Sequence, residues 1–244
     1  MYLHAMHSPR VLAAVAKLPA PPLCQWMAAP LANPGAPLGC FAPGNLLSPD
    51  FAFDAELPGD WIFAWSGTLA GGLDEVSPMN WMRGPAMLRE ACQSLRPQLV
   101  RHGRRLLLVP HARHVLSDAR SALTWWGEEV LEGAPLEADT RAPQGPRPFG
   151  LAFDPGALLE PSMLPDLHDH LRTLFAVFGP RSDAVLLRGV RMAADAERME
   201  ECPLAEGVMP LPVLRSLVAE CVPAGTPLLI PGQGLAVAQQ ALAG

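Results

Sequence analysis

Residues 96–111 read RPQLVRHGRRLLLVPH, and this stretch decides the fold. The run Leu106–Val109 is apolar without interruption, which is typical of a parallel strand buried on both faces. It comes after Gly103 and after a segment, residues 87–99, whose apolar residues recur at helical spacing. A helix, a glycine turn and a buried strand therefore follow one another here, which is the repeating unit of an α/β protein.

The same unit recurs along the chain. Strand starts from Trp61 onward are about 35 to 45 residues apart, as expected for strands that alternate with helices. Besides Leu106–Val109, the clear strand candidates are Trp61–Trp65, Phe149–Phe153, Ala184–Leu187 and Pro227–Ile230, and the weaker ones are Leu23–Met27 and Leu38–Ala42.

Helical periodicity predicts four helices between these strands. The strongest is entered near Pro161-Ser162 and closed by Gly179, and its apolar face consists of Leu167, Leu171, Leu174, Phe175 and Phe178. The others are a helix through Met87–Leu99 that Pro97 bends or shifts, a helix with Ser117 as N-cap and Gly127 at its end, and a helix through Val213–Cys221.

A (β/α) TIM-type barrel that occupies residues 1–244 as a single domain fits this pattern best. Its N-terminal part is abbreviated, because proline and glycine in the first 60 residues leave little room for full helices. An open doubly wound sheet is the alternative, since closure is not readable from about seven strands. Residues 132–148 are expected to form one long exposed loop.

Composition excludes several classes of protein. The chain is 50% apolar with a net charge of −6, and Lys17 is its only lysine, so we expect no nucleic-acid binding. The apolar N-terminal stretch is cut by Pro19, Pro21 and Pro22 well short of a membrane span. The five cysteines have no metal-like spacing, which predicts reduced thiols and a cytoplasmic protein.

Four stretches, in this order, resemble the xylose-isomerase-like TIM-barrel superfamily, which includes sugar-phosphate isomerases and epimerases. They are residues 96–111 quoted above, FGLAFDPGAL at 149–158, AVLLRGVR at 184–191, and CPLAEGVMPLPVLRSL at 202–217. The resemblance spans roughly the last three quarters of the chain, and the order of the stretches carries it.

The resemblance implies a divalent metal held by Glu, Asp, His and Glu at the carboxyl ends of the barrel strands. Only the Asp is present, as Asp154, which is the single candidate metal ligand. The other family positions correspond to Val109, Ala157, Leu186, Gly189 and Ile230-Pro231. One carboxylate does not make an oxygen-rich cation site, so the cofactor is left unassigned, with a divalent metal as one candidate.

Asp154 and His111 are the candidate catalytic residues. Asp154 ends a strand on the face where barrels build their sites, although an Asp before Pro155-Gly156 can equally serve to cap a turn. His111 and His114 follow the preceding strand, and a His beside a carboxylate makes an acid/base pair. The alternative is that both histidines are simply solvated.

Arg188, Arg191, Gly232, Gly234 and His114 are the candidate substrate-binding residues. The two arginines end a strand and suit a carboxylate or phosphate, unless they form structural ion pairs with Asp183 or Asp195. The glycines begin a helix after the last strand, where backbone N–H groups bind phosphate, although such turns are often purely steric.

Two functions are compatible with these residues. The first is a divergent isomerase or epimerase that binds or transforms a small polar or anionic metabolite at the barrel mouth. The second is a non-catalytic barrel that has lost its metal site and serves as a binding or assembly partner in a biosynthetic pathway. An exposed flank beside the abbreviated N-terminal part predicts a homodimer or a heteromeric partner protein.

Overall fold

A computed structural model describes residues 12–17, 26–30, 35–42, 44–51, 54–72, 74–132 and 147–231. Its centre is a closed barrel in the order β1-β10-β7-β6-β5-β4-β3-β2, with β8 and β9 forming a separate hairpin. The strands are β1 (Leu12–Lys17), β2 (Trp26–Pro30), β3 (Gly39–Phe41), β4 (Trp61–Trp65), β5 (Arg105–Val109), β6 (Phe149–Phe153), β7 (Ala184–Leu186), β8 (Gly189–Met192), β9 (Met199–Cys202) and β10 (Leu228–Pro231).

Closure confirms the barrel and excludes the open doubly wound sheet. Strand β1 pairs in parallel with β10 and antiparallel with β2, so the barrel has no open edge. The flank that motivated the prediction of a dimer or heteromer is therefore paired within the chain, and no observation tests that prediction further.

The abbreviated N-terminal part contains one departure from a pure (β/α) barrel. Strand β2 is antiparallel to both β1 and β3, whereas all other neighbouring barrel strands are parallel. Only eight residues separate Lys17 from Trp26 along the chain, and a parallel crossover needs about a dozen or more. Strand β1 was not predicted, because it has only six residues and a proline-rich segment follows it.

Five α-helices lie in the described part. They are α1 (Met79–Met82), α2 (Gly84–His102), α3 (Ala119–Glu129), α4 (Leu167–Phe178) and α5 (Leu211–Cys221). Helix α4 ends before Gly179 as predicted, but it begins at Leu167, because a 3₁₀ helix occupies Pro161–Asp166 where its start was expected. Helix α2 continues through Pro97 and ends at Gly103, which adopts a left-handed φ of 62°. The predicted N-cap Ser117 is wrong: Asp118 caps α3 by accepting from the backbone N–H of Ser121 at 2.7 Å.

The strand residues alternate between two apolar cores. Leu106 and Leu108 pack outward against the helices, whereas Leu107 and Val109 lie inside the barrel. The interior cluster of buried residues consists of Ala28, Phe41, Phe63, Leu107, Val109, Ala152, Ala184, Leu186 and Leu229. The barrel interior is therefore packed and apolar, which leaves the carboxyl ends of the strands as the place for a polar site.

Some predictions fall outside the described residues. These are Gly232 and Gly234 with the helix after them, and nearly all of the 132–148 loop. No helix in the described part is both long and apolar enough to cross a bilayer. None of the four described cysteines forms a disulfide. The assignment of residues 1–244 to one domain stays a prediction.

A tight backbone contact between β3 and β4 yields a test of the fold. A methyl group on Gly39 would lie under 3.0 Å from the backbone carbonyl of Trp61, and backbone on both strands is fixed by their pairing. We expect Gly39→Ala to lower the free energy of unfolding by about 1–3 kcal/mol, measured by urea denaturation. Gly71→Ala is the control, because its nearest atom is the Glu75 side-chain oxygen at 3.3 Å. Equal stability of the two variants would contradict the described β3–β4 register.

Candidate functional site

A polar cavity of about 350 Å³ opens at the carboxyl ends of strands β4 to β7, which we call the mouth. These four strands are neighbours and parallel, so the residues that follow them reach the same rim. The β8–β9 hairpin forms one wall. The cavity is lined by Trp65, Asp74, His111, Arg113, His114, Gly156, Ala157, Leu159, Glu160, Arg188, Val190, Arg198, Met199, Glu200 and Glu201.

Trp65, the last residue of β4, is the aromatic centre of the mouth. Its ring lies 5.1 Å from the Phe41 ring, which belongs to the barrel interior, and it meets the His111 and His114 rings edge-on at 5.3 and 5.8 Å. The guanidinium carbon of Arg188 lies 5.2 Å from the Trp65 ring centroid, a cation–π contact. The indole thus connects the apolar interior to the polar groups above it.

His111 and His114 form a pair on the loop after β5, with ring centroids 4.5 Å apart. The backbone of this loop is tightly held, since His111 N–H donates to the Leu116 carbonyl and His114 N–H donates to the His111 carbonyl. Burial, followed by the charges of His114, Arg188 and Arg113, lowers the pKa of His111 to about 3. His111 is therefore neutral at physiological pH.

Arg113 connects three loops around the mouth. Its guanidinium binds both carboxylate oxygens of Glu160, at 3.1 and 3.3 Å. It also donates to the backbone carbonyl of Asp74 at 2.9 Å and to that of Glu197, in the β8–β9 turn, at 2.6 Å. The hydrogen bond to Glu160 raises the pKa of Arg113. One planar fork thus ties the hairpin to the loops after β4 and β6.

Asp154 and Arg188 form a buried ion pair between the ends of β6 and β7. The Arg188 Nε donates to Asp154 Oδ2, while Asp154 Oδ1 accepts from the backbone N–H of Ala157 at 3.1 Å. The Asp154 side chain is fully buried and the Arg188 side chain is 10% exposed. Burial raises the pKa of Asp154, and the Arg188 charge and these hydrogen bonds act against that rise.

The pair changes what Asp154 can do. Both of its oxygens are engaged and the residue does not line the cavity, whereas His111 and Arg188 do. Asp154 and His111 share no hydrogen bond or ion pair in the described part of the chain, so the expected acid/base pair is not assembled. The turn-capping alternative describes Asp154 correctly, through its hydrogen bond from Ala157.

The remaining candidates divide between the cavity and the surface. His114 lines the mouth and is 1% exposed, so the expectation of a solvated loop histidine is wrong. Arg191, on β8, pairs with Glu200 at 2.8 Å and is half exposed outside the cavity lining. Both arginines form ion pairs, as the alternative proposed, but with other partners. Arg188 pairs with Asp154 and Glu201, and Arg191 pairs with Glu200, rather than with Asp183 or Asp195.

Several cavity residues were not predicted from the sequence. Arg113 and Glu160 follow the ends of β5 and β6, so their position after a strand was a signal that could have found them. The hairpin residues Arg198, Glu200 and Glu201 could not be found this way. The helix predicted after β7 is present as α5, but the β8–β9 hairpin that precedes it was not predicted.

The residues at the mouth do not fit a divalent metal. Val109 and Leu186, at family ligand positions, belong to the apolar interior cluster, and the charge next to Asp154 is the guanidinium of Arg188. No group of three or more His, Cys, Asp or Glu side chains with metal-binding geometry occurs in the described ranges. Because hard cations need several oxygen ligands, Asp154 alone does not hold one.

Comparisons with known proteins find similarity only at the level of the fold. No protein-family model and no curated protein sequence matches the chain. It is similar to a xylose isomerase domain protein from Planctomyces limnophilus, with 18% identity, 76% of this chain and 57% of that chain covered, and a TM-score of 0.43.

Two further solved structures have the same kind of similarity. One is the probable 3-DHS dehydratase AsbF from Bacillus anthracis, with 15% identity, 76% and 61% coverage and a TM-score of 0.41. The other is a xylose isomerase-like TIM barrel protein from Mycobacterium smegmatis in complex with magnesium, with 15% identity, 75% and 62% coverage and a TM-score of 0.41. The chain spans about three fifths of the length of these proteins.

The Asp154–Arg188 pair is predicted to stabilise the mouth. We expect Asp154→Ala to lower the free energy of unfolding by about 3–5 kcal/mol, because the buried guanidinium loses its counter-charge. A double-mutant cycle with Arg188→Met, followed by urea denaturation, measures the coupling between the two side chains.

The exposed pair Arg191–Glu200, on the β8–β9 hairpin, is the matched control for that cycle. Both of its side chains are more than 40% exposed, so Glu200→Gln should cost less than about 1 kcal/mol. If the two pairs have equal coupling energies, the buried geometry of Asp154 and Arg188 is incorrect.

The low pKa of His111 predicts a dependence of stability on pH. The folded-state pKa is about 3 and the ordinary value is 6.5, so the unfolded chain binds the extra proton between these pH values. Stability should therefore be full above pH 6.5 and fall by about 1.4 kcal/mol per pH unit as the pH drops toward 3.

The difference between wild type and His111→Phe isolates this contribution, because Asp154 and Asp183 have raised pKa values and act in the opposite direction. Urea denaturation at a series of pH values measures the slope in both proteins. An unchanged slope in His111→Phe would mean that His111 is not the group responsible.

Proposed function

We propose that this chain binds a small polar metabolite in the mouth cavity, through its own side chains and without a divalent metal. One observation carries the proposal: side chains that follow four successive strands converge on one cavity of about 350 Å³ around the Trp65 ring. Polar groups brought together from separate strand ends are the usual construction of a binding site in a barrel. Cavities of this size are within the range of small-molecule sites.

The cavity wall suits a ligand with both apolar and hydrogen-bonding parts. Trp65, Leu159 and Met199 supply apolar surface, while three arginines and four carboxylates supply charge. The Arg113 and Arg188 guanidinium groups are held by Glu160 and Asp154, so these charges are fixed in position before a ligand arrives. Fixed polar groups reduce the entropy that binding costs.

Proton transfer by Asp154 and His111 has less support than binding. The Asp154 carboxylate is buried and engaged at both oxygens, and a His111 ring with a pKa of about 3 is a weak base at neutral pH. Within the first of the two functions compatible with the sequence, binding of a small metabolite at the mouth therefore agrees better with the site than its transformation.

A ligand panel tests this function. We expect at least one member of a panel of monosaccharides, sugar phosphates and small hydroxy acids to raise the unfolding temperature, measured by scanning fluorimetry. The increase should be the same in EDTA as in Mg²⁺ or Mn²⁺, because the described donor set does not hold a metal. Isothermal titration calorimetry then gives the affinity of the best panel member.

Two matched variants connect such binding to the mouth. Glu201 lines the cavity and interacts with Arg188 at 3.5 Å, whereas Glu206 is exposed and outside the lining. Glu201→Gln should weaken binding about tenfold, by loss of a charged hydrogen-bond acceptor, and Glu206→Gln should leave it unchanged. A panel without any ligand, or binding that only metal supports, would contradict the proposed function.

A further inference from the structure

The two ring nitrogens of His111 have different surroundings. Nδ1 accepts a hydrogen bond from the backbone N–H of Arg113 at 3.1 Å. A nitrogen that accepts a hydrogen bond carries a lone pair rather than a proton. In the neutral ring the proton therefore lies on Nε2.

The backbone around His111 keeps this hydrogen bond in place. The Asn80 side-chain amide donates to the Arg113 carbonyl at 2.8 Å, and Ala112 N–H donates to the Ala157 carbonyl at 2.9 Å. Asn80 is itself buried and exchanges hydrogen bonds with Thr68. The Arg113 N–H is thus fixed relative to the ring by contacts from helix α1 and from the turn after β6.

Burial, and then the charges that surround His111, keep its ring neutral. Arg113 and His114 lie on its own loop and Arg188 lies after β7, and each of the three disfavours a positive ring. Glu160 and Glu201, which also line the cavity, are engaged by Arg113 and Arg188. No carboxylate of the described residues forms a hydrogen bond or an ion pair with the His111 ring.

Nε2 has no hydrogen-bond acceptor among the described residues, although the ring lines the cavity. Two aromatic rings pack against the His111 ring. The His114 ring has its centroid 4.5 Å away, and the Trp65 ring meets the His111 ring edge-on. The Nε2–H group is therefore a donor that a molecule in the cavity can satisfy.

We propose that the Nε2–H of His111 is a fixed hydrogen-bond donor, and that the ligand places a carbonyl or carboxylate oxygen on it. This inference rests on the proposed binding function and assigns its ligand class. An oxygen with partial or full negative charge is favoured there, because Arg188 and Arg113 add positive potential near the ring. An ammonium group is disfavoured, since it has no lone pair to accept the hydrogen bond.

The role differs from the one expected of His111 as a base. A ring whose Nδ1 accepts from the backbone and whose Nε2 already carries a proton has no site to take a proton from a ligand. His111 binds and orients an oxygen in this proposal and does not accept a proton.

Nuclear magnetic resonance of protein labelled with ¹⁵N-histidine tests the tautomer. Long-range ¹H–¹⁵N correlations distinguish an Nε2–H ring from an Nδ1–H ring, and His111→Phe identifies the His111 signals by their loss. We expect the Nε2–H tautomer, unchanged between about pH 5 and pH 8. An Nδ1–H ring, or a ring that titrates in this interval, would overturn the proposal.

Three small probes test the ligand class. Sodium glycolate supplies a carboxylate, hydroxyacetone supplies a carbonyl, and ethanolamine supplies an ammonium group on a similar frame. We expect the His111 Nε2 resonance to shift on titration with glycolate, hydroxyacetone or both. A shift with glycolate identifies a carboxylate oxygen as the acceptor, and a shift with hydroxyacetone identifies a carbonyl oxygen. A shift caused only by ethanolamine, or by none of the three at saturating concentration, would overturn the assignment.

The outcomes separate this inference from the proposed function. Panel ligands that bind while the His111 ring is Nδ1–H, titrates or fails to respond would leave the binding function intact and reject the donor role. If no member of the panel binds, the binding function is rejected, even when the His111 ring has the expected tautomer. His111→Phe should also weaken the best panel ligand at least tenfold if the donor binds it.

Discussion

The buried ion pair between Asp154 and Arg188 is the interaction on which the mouth depends. It joins the end of β6 to the residues between β7 and the hairpin, and it keeps the Arg188 guanidinium above the Trp65 ring. Burying a charge is costly unless it is paired and hydrogen-bonded, so each partner requires the other. The Ala157 N–H, which donates to the second oxygen of Asp154, completes the arrangement from the same turn.

This pair also determines the electrostatics of the cavity. A carboxylate at a barrel mouth is a natural cation ligand, but here the cation is a side chain of the same protein. Val109 and Leu186, at positions where further metal ligands would be needed, are apolar and belong to the packed interior. The polar surface that remains consists of fixed arginine–carboxylate pairs and of a neutral histidine, which is the chemistry of recognition by hydrogen bonds.

Arg113 complements the ion pair in the wall of the same cavity. Its guanidinium donates hydrogen bonds to Glu160 and to two backbone carbonyls. These bonds hold the hairpin turn and the loops after β4 and β6 in place. Its backbone N–H meanwhile orients the His111 ring. A single residue therefore contributes to the shape of the cavity and to the chemistry of its wall, and the two contributions come from different donor groups.

The sequence by itself determined the strands and helices with strong periodicity, as Trp61–Trp65, Phe149–Phe153 and α4 demonstrate. It also placed Asp154, His111 and Arg188 at strand ends, because polar residues directly after buried apolar runs are visible locally. Barrel closure, the antiparallel β2 and the β8–β9 hairpin were decided only in three dimensions, since they depend on pairing between distant segments. The same holds for the chemistry: Asp154 is engaged by Arg188, 34 residues away, and the tautomer of His111 depends on one backbone N–H. Residue types locate a site along the chain, but hydrogen-bond partners and burial decide its protonation and its charge, and these exist only in the folded structure.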